Sequence, residues 1–142
     1  MTEVVVRQFT IEQANATLPL VRRIVSDLLQ LHPRWRAAVT AFEVEQGAVS
    51  AGGETEGARL ARLEAGRLAG DIEACRDELE QIGCVFKGFD AGLVDFPSDL
   101  DGRDVYLCWQ HDEPKVEHWH EIDGGFAGRQ PLDPFHFPAA RS

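Results

Sequence analysis

The sequence predicts an α+β fold in which a long antiparallel helical hairpin packs against a small antiparallel sheet of three or four strands. Apolar residues recur every three or four positions through the first eighty residues, which is typical of amphipathic helices. After Gly83 the pattern changes to short β-branched and aromatic runs between turn residues. We predict one domain over residues 1–142, divided into a hairpin at 9–83, a β region at 84–129 and an extended tail at 130–142.

The first helix has a recognisable start and two internal prolines. Thr10 and Gln13 have the spacing of a capping box. Pro19 disfavours helical geometry before it, so we expect a short opening helix and a second, longer helix capped by Thr17. Pro33 should bend or break that second helix. Its apolar stripe comprises Val21, Ile24, Val25, Leu28, Leu31, Trp35, Val39 and Phe42.

The second helix follows a glycine-rich polar loop at residues 47–57, whose composition suits a helix–helix connection. We expect this helix to run from about Glu54 to Ile82 and to end at Gly83. Its apolar stripe is close to a coiled-coil repeat and comprises Leu60, Leu63, Leu68, Ile72, Cys75, Leu79 and Ile82. Because two helices alone cannot close a core, the surplus apolar face should cover the β region and a second subunit. A homodimer is therefore expected.

Four short segments have strand character. They are Cys84–Phe86, Leu93–Phe96, Asp104–Gln110 and Val116–Glu121, and Pro97 should end the second of them. The segment after residue 130 is rich in proline and suits an extended tail.

Composition narrows the classes of function. The net charge of -10 argues against nucleic-acid binding, which needs a basic patch. No apolar run approaches the roughly 20 residues of a membrane helix, and the N-terminus lacks the features of a signal peptide, so a cytoplasmic protein is expected. The cysteines are odd in number and have no CxxC spacing, which favours reduced, buried thiols at Cys75, Cys84 and Cys108.

Most of the residues that can carry chemistry lie between Gly92 and Arg129. On the last predicted strand, His118 and His120 share one face and could both reach one divalent metal ion. Asp95, Glu121 and Asp123 are the candidate third ligands, with Asp95 preferred. The alternative is an edge strand with solvated histidines.

Three further hypotheses concern residues between Gly92 and Arg129. The glycines at 124–128 could expose amides that bind an anion together with Arg129, or they could form a tight turn in which Arg129 pairs with a carboxylate. Trp109 could line a ligand pocket or belong to the core. Cys108 could face a histidine across the hairpin, although thiols at interior strand positions are normally inert.

Several segments together resemble the bacterial family known as domain of unknown function 2203. These are FTIEQANATLPLVRRIV from Phe9, GLVDFP from Gly92, GRDVYLCW from Gly102 and EHWHEIDGGFAGR from Glu117. The resemblance covers most of residues 9–129 and implies a small intracellular protein without an established activity. The family pattern is strongest at Asp95, Trp109, His120, Glu121, Gly128 and Arg129. The resemblance implies an aromatic residue at the position of His118, which argues against the histidine pair as a metal site. It favours a polar site formed by Asp95, His120, Glu121 and Arg129.

Two functions remain open from the sequence. The first is a self-associating binding or regulatory module whose polar residues serve the fold. The second is a ligand- or metal-binding domain, conceivably hydrolytic, in which His120 is base or ligand and Asp95 and Glu121 assist. Arg129 would then hold an anionic group. No complete catalytic arrangement is visible, so the first is preferred.

Overall fold

The computed structural model describes residues 8–47 and 53–132, and it confirms the predicted α+β class. Helices α1 (Ile11–Gly47) and α2 (Glu56–Ile82) pack against each other and are followed by an antiparallel sheet. The sheet has five strands in sequential order, which corrects the predicted three or four. The strands are β1 (Val85–Gly88), β2 (Leu93–Leu100), β3 (Arg103–Gln110), β4 (His118–Glu121) and β5 (Gln130–Pro131), with a 3₁₀ turn at Phe126–Gly128.

Helix α1 begins at the predicted capping box but is not divided at Pro19. The Thr10 and Gln13 side chains each accept the other residue's backbone N–H, at 3.1 and 3.0 Å. The helix then continues through Pro19 and Pro33 to Gly47, so the expectation of two helices is wrong. Both prolines are exposed, so neither ring occupies the packed stripe of α1. Core packing on the opposite side outweighs the local penalty.

Helix α2 ends as predicted and packs through smaller residues than predicted. Gly83 adopts a left-handed conformation and donates its N–H to the carbonyls of Leu79 and Glu80. The covered stripe follows a seven-residue repeat and comprises Ala58, Ala61, Ala65, Leu68, Ile72, Cys75 and Leu79. Leu60 and Leu63, which were assigned to this stripe, are instead 54% and 50% exposed. In the first half of the contact between α2 and α1, the packed residues are alanines rather than leucines. A prediction based on the largest apolar residues therefore selects the wrong face of the helix.

The sheet has an apolar face turned to the helices and a polar face turned away from them. The first face carries the buried residues of the main core, namely Phe86, Val94, Phe96, Val105, Leu107, Trp109 and Trp119. Strand alternation puts Asp95, Cys108 and His120 on the second face.

Strand β2 passes through Pro97, contrary to the expectation that proline would end it. Pro97 lies beyond the last residue of β2 that pairs with β1, so its missing N–H interrupts no hydrogen bond between these two strands. Its carbonyl accepts the backbone N–H of Phe9 at 2.7 Å, and the Ser98 hydroxyl donates to the carbonyl of Phe9 at 2.7 Å. The segment before α1 therefore covers this edge.

The last predicted strand is shorter than expected, and the sheet enters the segment predicted as tail. Strand β4 begins at His118 rather than Val116, and β5 lies at Gln130–Pro131. The middle of the inter-helix loop and the predicted tail beyond residue 132 fall outside the described residues.

Only part of the helical hairpin contributes to the main core. Residues of that core reach Leu28 on α1, with partly buried Trp35 beyond it, and on α2 they lie between Ile72 and Ile82. Residues 36–47 and 56–71 extend past the core, and we call them the arm. Within the described residues, no helix is apolar enough over a sufficient length to cross a membrane.

Gly92 lies in the β1–β2 turn, close to both α1 and the β3–β4 loop. Its φ is +63°, and a Cβ atom there would lie 2.8 Å from the Cβ of His111 and 3.0 Å from Cγ1 of Val25. Gly92→Ala should therefore lower the free energy of unfolding by about 2–4 kcal/mol, measured by denaturant titration.

Gly88→Ala is the matched control, because nothing lies within 4 Å of the Cβ position at Gly88. A loss at Gly92 no larger than at Gly88 would contradict this account of the turn.

Candidate functional site

Three buried side chains meet on the sheet face that is turned away from the helices. Asp95 of β2 lies directly opposite Cys108 of β3, and His120 of β4 reaches the same place from the other side of β3. Their exposed fractions are 4%, 1% and 2%. A carboxylate oxygen, the thiol sulfur and an imidazole nitrogen all lie within 4.8 Å of one another, so these residues could hold a metal ion. We call this the Asp–Cys–His cluster.

Hydrogen bonding determines how many protons the histidine and aspartate share. His120 Nδ1 lies 2.6 Å from the carbonyl oxygen of Glu121, which can only accept, so Nδ1 carries a proton. His120 Nε2 lies 3.0 Å from Asp95 Oδ1, and that contact needs one further proton. The pair is therefore neutral in total, either as imidazolium and carboxylate or as imidazole and carboxylic acid. A neutral pair avoids the large penalty of an unpaired buried charge.

The thiol of the cluster is protonated at neutral pH. Burial, reinforced by the negative charge of Asp95, raises the pKa of Cys108 to about 12, and Arg129 opposes this shift. A thiol with this pKa is a poor nucleophile. The expected proximity of Cys108 to a histidine is present, but the histidine already shares its proton with Asp95.

Arg129 borders the cluster and is held by Glu113. Its Nη2 donates to Glu113 Oε1 at 2.5 Å and to the carbonyl of Cys108 at 3.3 Å, and its Nη1 donates to Gln110 Oε1 at 3.4 Å. Glu113 Oε1 also accepts the backbone N–H of Gln110 at 2.7 Å. Glu113 was not among the predicted site residues, because one carboxylate in a loop of a strongly acidic chain carries no distinguishing signal.

His118 shares the polar face with His120 but lies outside the cluster. Its Nδ1 is 3.3 Å from Glu113 Oε2, yet the angles do not form a hydrogen bond. The structure thus groups Asp95 and His120 with Cys108, whereas the sequence grouped them with His118 as metal ligands and with Glu121 and Arg129 as a polar site.

The other predicted site residues lie elsewhere. Trp109 belongs to the helix-facing core, and its indole N–H donates to the carbonyl of Glu113 at 3.0 Å. The Glu121 side chain pairs with Arg103 at 3.0 Å near the surface, although its carbonyl serves His120. Asp123 is exposed. The amides of Gly124, Gly128 and Arg129 donate to carbonyls within the turn, which favours the tight-turn interpretation over an anion site.

Helix α1 fixes the loop that carries Glu113. Arg22 donates to the carbonyls of His111, Glu113 and Pro114 at 3.1–3.2 Å. Ser26 Oγ lies 2.8 Å from His111 Nε2. Asn15 Oδ1 accepts the backbone N–H of Val116 at 2.8 Å. The polar network is therefore positioned from the helices through the β3–β4 loop, and it is closed to solvent at the Asp–Cys–His cluster.

The Asp95–His120 pair should contribute strongly to stability. Asp95→Ala removes one partner and leaves a buried imidazole, so the free energy of unfolding should fall by about 3 kcal/mol. Asp95→Asn should cost less than about 1.5 kcal/mol, because its amide can donate to Nε2 of a neutral imidazole. Denaturant titration compares the two variants, and equal losses would contradict the shared-proton account.

The buried thiols should make the metal-free protein sensitive to alkaline pH. The pKa of Cys84 and that of Cys108 are each raised to about 12, by burial first, from a reference value of 9. The unfolded thiols ionise first, so their contribution is complete below pH 9 and is lost between pH 9 and 12. The slope is about 1.4 kcal/mol per pH unit for each thiol.

Unfolding titrations at pH 8 and 10 test this expectation. Cys84→Ala and Cys108→Ala should each lose about 1 kcal/mol less than the wild type between these two values. The partly buried Cys75 supplies the control through Cys75→Ala, whose effect should be smaller. Parallel pH profiles for all four proteins would refute the assignment.

Comparison with known proteins agrees with the motifs in the sequence. The family described as "Uncharacterized conserved protein (DUF2203)" matches residues 7–132, a range that includes both helices and all five strands. No curated protein and no solved structure matches the chain significantly. The chain belongs to the domain of unknown function 2203 family.

Proposed function

We propose that this protein is a self-associating binding module whose arm pairs with the arm of a second copy. The observation that carries the proposal is the half-exposure of Leu60 and Leu63 on α2, outside the stripe that packs on α1. Each leucine side chain would gain roughly 1 kcal/mol or more if a partner covered its exposed half.

Local charge balance favours a second copy as the partner. The whole chain carries a net charge of -10, which opposes the approach of two copies at most surfaces. Residues 54–67 contain three glutamates and three arginines, so this stretch of α2 is neutral. Its ion pairs include Glu54–Arg62, Glu56–Arg59 and Glu64–Arg67. A two-fold arrangement could exchange such pairs between copies without net repulsion.

Two glycines on the same helix fit this interpretation. Gly66 and Gly70 are exposed, have no positive φ and have nothing within 4 Å of their Cβ positions. The packing of this chain therefore does not require glycine, although each glycine costs roughly 1 kcal/mol in a helix interior. Close approach of a neighbouring helix would account for them.

The hydrolytic alternative has less support. The atoms that would act as base and ligand, on Asp95 and His120, are buried and already bonded to each other. Glu121 directs its carboxylate to Arg103 rather than to His120. Hydrolysis would require this cluster to open and expose a free imidazole nitrogen.

Sedimentation velocity over a hundredfold range of concentration tests self-association. The wild type should shift from monomer to dimer, and its melting temperature should rise with concentration. Leu60→Glu and Leu63→Glu should each weaken the dimer about 100-fold, because a carboxylate would enter an apolar contact.

Val44→Glu is the matched control, since Val44 is an exposed apolar residue of the arm on the other helix. It should dimerise as the wild type does. A wild type that stays monomeric at every concentration, or equal weakening by all three variants, would reject an interface at Leu60 and Leu63.

A further inference from the structure

We infer that Asp95, Cys108 and His120 form a structural site for one divalent metal ion of the zinc type, which links strands β2, β3 and β4. This inference is independent of self-association through the arm. It rests on the geometry of the ligand atoms, on the charge of the cluster and on the contacts that orient each ligand.

The ligand set and its geometry suit zinc. Nitrogen, sulfur and oxygen are the donors that zinc takes from His, Cys and Asp. Metal–ligand bonds of about 2.0–2.3 Å in a tetrahedral site place ligand atoms roughly 3.3–3.6 Å apart. His120 Nε2 and Asp95 Oδ1 are 3.0 Å apart, and all three ligand atoms lie within 4.8 Å of one another. Small side-chain rotations can therefore admit the ion.

The buried cluster can exchange two protons for a divalent metal ion without a change in its net charge. The metal-free cluster is neutral, with one proton shared by Asp95 and His120 and one proton on Cys108. A divalent ion that displaces these two protons leaves carboxylate, thiolate and neutral imidazole around a charge of +2, which is again neutral. No net charge enters the buried site, so the exchange avoids the main penalty for burying a cation.

The surroundings already orient the ligands as zinc sites require. His120 donates its Nδ1 proton to the carbonyl of Glu121, which directs Nε2 to the cluster. The Arg129 guanidinium donates to the carbonyl oxygen of Cys108 at 3.3 Å, which places a positive charge next to the residue whose thiolate would bind the metal. The Glu113 carboxylate in turn balances Arg129.

The closed position of the cluster points to a structural role. Each ligand residue is at most 4% exposed, and the three ligands come from three adjacent strands. Three protein ligands leave one zinc position for a water molecule, as in catalytic sites, but the burial of all three ligands closes that position to a substrate. The ion would hold together the face of the sheet that receives no packing from the two helices.

The test uses full-length protein without a histidine tag, freed of metal with a chelator and titrated with Co²⁺ as a spectroscopic probe for Zn²⁺. One equivalent should bind and produce a thiolate-to-cobalt charge-transfer band. Zn²⁺ should abolish the band by displacement and should raise the melting temperature of the protein. Absence of the band in the wild type would overturn the proposal without the use of any variant.

Three cysteine variants assign the ligand. Cys108→Ser should lose the band, whereas Cys75→Ser and Cys84→Ser should keep it. If Cys108→Ser fails to fold, retention of the band in the other two variants still identifies Cys108 by elimination. Loss of the band in Cys75→Ser or Cys84→Ser, in protein that remains folded by circular dichroism, would reject the cluster as the site.

Proton release supplies a second readout. Calorimetric titration of Zn²⁺ in buffers of different ionisation enthalpy should report about two protons released per ion near pH 7, one from the thiol and one from the Asp95–His120 pair. Release of fewer than one proton would indicate binding at surface carboxylates or histidines and would contradict the proposal.

Discussion

The packing of the first half of α1 on the sheet is the contact on which the rest of the structure depends. Ala14, Leu18, Val21, Val25 and Leu28 are buried against the apolar side of the strands. Neither partner is stable by itself, because a two-helix hairpin and a small sheet each leave an apolar face in water. This shared core explains why α1 remains one helix across Pro19: interruption there would separate Leu18 from Val21 within the buried stripe.

The same helix also positions the polar residues on the far side of the sheet. Three polar side chains outside the apolar stripe of α1 form hydrogen bonds with the β3–β4 loop, namely those of Asn15, Arg22 and Ser26. That loop presents Glu113, which holds Arg129 beside the carbonyl of Cys108. A chain of contacts thus runs from the helix, around the edge of the sheet, to the cluster on its far side. The polar residues of α1 are therefore as specific to this fold as its apolar ones.

Local chemistry made the ends of the helices predictable, whereas tertiary contacts determined what was missed. Thr10 with Gln13 and Gly83 satisfy helix ends through neighbours in sequence, so their signals are readable without a structure. Pro97 was misjudged because its neighbour across the strand edge is Phe9, far away in sequence. Ala58, Ala61 and Ala65 were overlooked as a packing stripe because hydrophobicity alone favours the larger Leu60 and Leu63.

The candidate site shows the same division. Alternation along β4 placed His118 and His120 on one face, which the strand register confirms. Alternation cannot show which strand lies beside β4 or at what register, and those two facts bring Cys108 and Asp95 to His120. Asp95 was grouped with His120 first as a candidate third metal ligand, and the family resemblance supported the same grouping. Cys108 could be assigned to the cluster only from the register of β3 with its two neighbouring strands.

The Asp–Cys–His cluster and the arm lie toward opposite ends of the hairpin, and they affect different properties of the protein. At the sheet end, polar groups are buried and Asp95 shares a proton with His120, so a change of ligand acts on the stability of the fold. On the arm, apolar groups are exposed while nearby charges are balanced, so a change of partner acts on assembly. Because Leu60 and Leu63 share no contact with the Asp–Cys–His cluster, the free energies of the proposed metal binding and of the proposed self-association should add rather than couple. Coupling would require a change in α1 or α2, the two helices that extend through both regions, and the uninterrupted course of α2 from the core into the arm opposes such a change.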